Sequence, residues 1–130
     1  MILCKIVTPF GKYKELETPI LNVRNSVGEM GILPNRVPIV TMLEISKMTT
    51  VENGEREEYA IGGGLLYFKE NEAMILVDSI ENKKEIEKER ALAAKARAES
   101  LLNSKDESVD IKRAELSLKR AMNRLKVVGE

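Results

Sequence analysis

Five arginines in the C-terminal third of the chain are the residues whose spacing could do chemistry. Arg90 and Arg97 stand seven apart, which on a helix puts them on nearly the same side. Arg113, Arg120 and Arg124 follow at spacings of seven and four, along one side of a second helix. Ile86 precedes Arg90 by four and shares its face. Guanidinium groups bind phosphate bidentately and stack on flat rings, so two such helices could line a groove for a nucleotide. The same arginines could equally be solvated flanks or partners of Glu89, Glu99 and Glu115, and spacing alone favours that plainer reading.

The elements that must position these side chains are legible from a change of composition near Glu81. Every aromatic residue and every proline lies before it, as does every glycine except Gly129. After it come Ala91, Ala93, Ala94, Ala96 and Ala98 among dense charge. The first part favours strands and turns and the second favours helix. The expected fold is α+β: an antiparallel β-sandwich over residues 1–82, followed by an antiparallel α-helical hairpin over 83–130. Alternating apolar residues begin with Ile2, Cys4 and Ile6. Gly28 to Gly31 reads as a turn before a short strand at Ile32-Leu33. Asn53-Gly54 signals a tight hairpin. Glu58–Ile61 and Leu65–Lys69 read as strands on either side of Gly62-Gly63-Gly64, a bend or a close approach of backbone on backbone. Asn82 and Glu85 fit a capping box for a first helix reaching about Leu102. A second helix is expected from near Asp106 to Val128, with Gly129 at its stop and a seam of Ile111, Ala114, Leu118, Ala121, Leu125 and Val128. Ala91, Ala94, Ala98 and Leu101 face it. Alanine methyls bury little area, each worth on the order of 0.8 kcal/mol, so the hairpin should be weakly held.

Composition excludes more than it assigns. The 130 residues carry 21 basic and 21 acidic side chains, so no net field holds nucleic acid or an anionic membrane. Histidine is absent and Cys4 is the single cysteine. That removes the commonest general base and metal ligand, and any disulfide framework within one chain. No apolar run approaches the roughly 20 residues that span a bilayer, and the first residues lack the features of a signal peptide. No Ser/His/Asp set, Cys/His pair or P-loop is present, so catalytic residues, a metal and a required cofactor are all expected to be absent. A soluble chain in a reducing, cytosolic compartment is the default.

Three stretches resemble the epsilon subunit of bacterial rotary ATP synthases: Lys5-Ile-Val-Thr-Pro9, Gly28-Glu-Met-Gly-Ile-Leu-Pro-Asn-Arg-Val-Pro38, and Asp110 to Leu125. In the second stretch the family commonly has glycine and histidine at the positions of Asn35 and Arg36. The resemblance implies a noncatalytic rotor subunit, peripheral on the cytoplasmic face of the bacterial cell membrane. Its sandwich would dock on the gamma subunit and on the membrane c-ring, with Glu29, Leu33, Pro34, Asn35 and Arg36 facing the ring. Its hairpin would extend into the catalytic head of alpha and beta subunits, where Arg113, Arg120 and Arg124 would meet acidic surfaces and inhibit ATP hydrolysis. Some members clamp regulatory ATP in the folded hairpin through an Ile/Leu-Asp-x-x-Arg-Ala motif. The corresponding run here is Ile86-Glu87-Lys88-Glu89-Arg90-Ala91, joined by Arg97, Arg120, Arg124 and Glu81. Glu87 replaces the aspartate and moves the carboxylate out by one methylene, so weak ATP binding is implied. Composition and periodicity alone fit an alternative equally well, a free-standing adaptor whose hairpin docks on another coiled coil.

Overall fold

A computed structural model describes residues 1–104 and 106–129. Eight strands come first: β1 (Ile2–Thr8), β2 (Gly11–Thr18), β3 (Leu21–Asn25), β4 (Gly28–Ile32), β5 (Ile39–Glu52), β6 (Glu55–Lys69), β7 (Glu72–Val77) and β8 (Ile80–Asn82). A 3₁₀ turn at Lys83–Glu85 leads to two helices, α1 (Lys88–Asn103) and α2 (Ile111–Gly129).

The long β5–β6 hairpin organises the sandwich. Its turn is Asn53-Gly54, with φ of 54° and 79°, the backbone that matches the twist of the flanking strands. Glycines 62–64 do not end a strand, as the sequence suggested; β6 runs through them as one 15-residue strand. The ladder passes from Leu43↔Gly64 to Ile45↔Gly62, and there the hairpin turns from one layer into the other. Beyond the corner, β6 pairs β7 from Gly64 to Lys69. Before it, β6 pairs β8 through Tyr59 to Ile61, while β5 meets β3 at Asn22↔Thr49. The strand order is β2-β1-β7-β6-β5-β3-β4, with β8 on β6. The pairs are antiparallel except β1 with β7, which is parallel. Tyr59, Phe68, Ile6, Leu66, Ile75 and Met48 fill the space between the layers.

Three expectations at element ends are corrected. Gly28 to Gly31 belongs to β4 rather than to a turn; the turn is Ser26-Val27, closed by the Asn25 side chain accepting from the Val27 and Gly28 N–H groups. Asn82 caps the 3₁₀ turn and not α1: its Oδ1 accepts from Lys84 N–H at 2.9 Å. Glu85 does not reach back, because its carboxylate accepts instead from the Tyr13 phenol at 3.0 Å. The second helix begins at Ile111 rather than near Asp106. Asp106 holds a turn by accepting from the Ser108 N–H and hydroxyl, and Asp110 takes the cap by accepting from Arg113 N–H at 3.1 Å.

The hairpin seam is made of small residues. Ala91 and Ala98 of α1 and Ala114 and Ala121 of α2 are buried. Leu101 and Ile111, expected in it, stay exposed at its open end. Val127, which the seam expected from sequence leaves out, is buried with Ile86 and Ala60 in a small second core, with Val128 against it. That cluster seats the end of α2 on the sandwich. Asn123 adds a polar tie, donating from Nδ2 to the carbonyls of Ser46 at 2.9 Å and Ile61 at 3.4 Å.

Candidate functional site

A cleft of about 150 Å³ opens where the 3₁₀ turn, the start of α1 and the last turns of α2 meet. It is lined by Glu81, Ile86, Glu87, Arg90, Ala91, Arg97 and Arg124, together with Glu85 and Ala94. β8 supplies Glu81, the extended segment after the 3₁₀ turn supplies Ile86 and Glu87, and two turns of α1 supply Arg90, Ala91, Ala94 and Arg97. Ile86 is buried by Val127, which holds the segment against α2. Of the residues expected from sequence to hold a nucleotide, Arg120 lies next door. It lines a smaller recess with Gly62, Ser79 and Asn123 that shares Glu81 and Arg124 with the main cleft.

Charge is distributed unevenly around the cleft. Arg124 is paired with Glu81 at 2.5 Å, and Arg120 stands 3.7 Å from Asp78. Among the described residues Arg90 and Arg97 form no ion pair, and the Arg120 Nε is buried without a hydrogen-bond partner. Of the two plainer alternatives, pairing with Glu89, Glu99 and Glu115 does not occur among the described residues, whereas Arg90, Arg97 and Arg113 are exposed, as solvated flanks would be. Free guanidinium groups beside a cleft suit an anionic ligand.

The 3₁₀ turn beside the cleft, with its cap, is fastened to the sandwich. Asn82 Nδ2 and Lys84 Nζ both donate to Glu57 at 3.1 Å, and Lys83 Nζ meets Glu58 at 3.1 Å. These contacts hold the Glu57 carboxyl below the ordinary carboxylate range, through Asn82 first and then Lys84. Burial raises Glu58, but Lys83 and Lys47 outweigh it and the net shift is downward. Burial, then the bond to Glu85, pushes the Tyr13 phenol up to about 12. Tyr13 also packs edge-on against Tyr59, at 6.4 Å between ring centres. Tyr59 donates to Glu52 at 2.6 Å and accepts from Lys14 at 3.0 Å.

The other expected sites are surface features. Glu29, Asn35 and Arg36 are exposed, Pro34 is half-buried, and Leu33 is 58 % exposed. Arg113 is exposed, whereas Arg120 and Arg124 are half-buried against the sandwich. Sequence reasoning missed Glu85, which it gave to a cap, and Ala94. Ala94 lies one turn after Arg90 on the face that the motif already defines, so helical spacing could have found it.

The fold is shared. Residues 1–83 match the family model for the ATP synthase delta/epsilon chain beta-sandwich domain, and residues 84–129 match that for its long alpha-helix domain. The chain is 43% identical over 124 residues to the ATP synthase epsilon chain of Bacillus velezensis, covering 95% of this chain and 94% of that one. It is 37% identical over 131 residues to that of Pediococcus pentosaceus, covering 98% and 94%. Among solved structures, a chain of the Euglena gracilis mitochondrial ATP synthase, determined with OSCP, F1 and c-ring, superposes with a TM-score of 0.81 at 22% identity, covering 99% of this chain and 81% of that one. A chain from the central stalk and c-ring of the Tetrahymena thermophila enzyme gives 0.57 at 14% identity, covering 98% and 93%. A β-sandwich with a helical hairpin of this kind is a delta/epsilon-type chain of an ATP synthase. Within that class, the chain belongs to the ATP synthase epsilon chain family. No helix among the described residues is long and apolar enough to cross a membrane.

Proposed function

We propose that the chain is a noncatalytic rotor subunit of a bacterial ATP synthase whose hairpin inhibits ATP hydrolysis and is restrained by ATP. The observation that carries the proposal is the cleft, which gathers the residues that match the family's ATP clamp, Arg120 excepted, and includes two guanidinium groups without an ion pair among the described residues. The sandwich docks on gamma and, through Glu29, Leu33, Pro34, Asn35 and Arg36, on the c-ring, at the cytoplasmic face of the membrane. Outward-facing Val40, Met42, Tyr67 and Leu76 are all more than 40 % exposed on neighbouring strands, a patch suited to a protein partner.

In the folded position the hairpin withholds its own inhibitory groups. Arg120 and Arg124 lie against Asp78 and Glu81; extension frees them, with Arg113, for acidic surfaces of the catalytic subunits. The reach is adequate: α2 has 19 residues, about 30 Å of helix. ATP in the cleft is a regulatory ligand and not a required cofactor. It joins Glu81, Ile86 and Glu87 to Arg90, Ala91, Arg97 and Arg124, with Arg120 at the margin. Because it binds only the folded position, it stabilises that position by RT ln(1 + [ATP]/Kd), about 1.4 kcal/mol at ten times Kd. A seam of alanines leaves an energy gap small enough to be tipped by that amount. The longer Glu87 side chain makes the binding weak. Deleting residues 83–130 and measuring ATP hydrolysis by the reassembled complex tests the inhibitory role. Hydrolysis should rise; inhibition equal to that by the full chain would refute it.

A further inference from the structure

Residues 33–38, between β4 and β5, carry four of the five ring-facing residues of the proposed rotor role, yet they have no ladder of their own. Among the described residues, their hydrogen bonds to other segments pass through one side chain. Asn71, in the β6–β7 turn, accepts from Asn35 N–H at 2.6 Å through Oδ1. It donates from Nδ2 to the Asn35 side-chain oxygen at 3.2 Å. Its own carbonyl accepts from Leu3 N–H at 2.9 Å, so the turn is itself fixed to β1. Asn35 and Asn71 have φ of 67° and 62°, a left-handed conformation that asparagine tolerates better than most side chains. On either side of this tie, Leu33 is 58 % and Val37 is 74 % exposed.

An untethered loop must be ordered when it docks, and that cost is subtracted from affinity. We propose that Asn71 is a positioning residue for docking on the c-ring. Its amide holds Asn35, and through it Leu33, Pro34 and Arg36, in the docking arrangement before the ring arrives. Asn71 acts through Asn35 and not by a contact of its own. The inference rests on the reading that this loop faces the ring.

The test uses the full-length chain as wild type, Asn71→Gly and Asn71→Asp. Glycine adopts the same backbone conformation freely and removes only the side chain; aspartate keeps the acceptor for Asn35 N–H. Each chain is titrated onto a catalytic head carrying gamma, and capture of purified c-ring by that assembly is then measured. Asn71→Gly should bind the head as wild type does but capture the ring about five-fold more weakly, the size expected for losing two exposed hydrogen bonds to Asn35 and then ordering a short loop. Asn71→Asp should recover most of that loss. Ring capture by Asn71→Gly equal to wild type, or an equal loss of head and ring binding, would overturn the proposal. Failure of the wild-type chain to support any ring capture would instead overturn the docking reading beneath it.

Discussion

The Arg124 guanidinium lies 2.5 Å from the Glu81 carboxylate, joining the second helix of the hairpin to the last strand of the sandwich at the rim of the cleft. The pair therefore has two consequences. It helps hold the hairpin down, and it occupies a guanidinium that a phosphate would also want. Each partner remains about a third exposed, so solvent limits the pair to about 0.5 kcal/mol. Glu81→Gln should shift the hairpin toward extension by roughly two-fold. Amide hydrogen exchange would read this as faster exchange in α2 with the sandwich strands unchanged.

Gly64 makes a sharper prediction. A Cβ there would overlap the Leu76 carbonyl oxygen and lie 2.8 Å from the Val77 Cα. Both are backbone and cannot yield without parting β6 from β7. Gly64→Ala should destabilise the sandwich by about 3 kcal/mol or more. Gly54→Ala, which meets nothing within 4 Å but sits at φ 79°, should cost about 1 kcal/mol. Thermal melting of the two variants would separate a clash from a conformational cost.

That corner also shows where sequence reading reaches its limit. The triplet Gly62-Gly63-Gly64 is visible as a place where side chains do not fit, but not as the middle of one strand. A break and a continuous strand that changes layers have the same local pattern. β8 has only three residues, too few for any periodicity to mark it. The parallel pairing of β1 with β7 joins residues about 70 apart in sequence, such as Leu3 and Glu72; no local signal encodes it. The helical arginines were easier, because helix geometry converts spacing directly into direction. Arg90, Arg97 and Arg124 do converge on one cleft. Arg120 is turned aside by the Gly62 corner and Asp78, tertiary features that its own helix does not announce. Glu85 was obscured because a capping box and a tertiary bond to Tyr13 use the same carboxylate.

The Tyr13–Glu85 bond gives a prediction at alkaline pH. The folded phenol is raised to about 12 from an ordinary value of 10, by burial first and then by the bond to Glu85. A raised value means that the folded state favours the protonated form. This stabilisation is fully present below about pH 10 and is lost as pH rises toward 12. Glu85→Gln keeps an acceptor for the phenol but removes the negative charge, so Tyr13 should ionise at a lower pH. Tyrosinate absorbance during alkaline titration, with Tyr13→Phe to assign the step, would check it.

The central claim is that the folded hairpin senses ATP through the cleft, and calorimetric titration of the full-length chain with ATP tests it most directly. The account predicts weak, saturable binding that Arg90→Ala abolishes. Absence of binding at millimolar ATP, or binding that Arg90→Ala leaves unchanged, would contradict it.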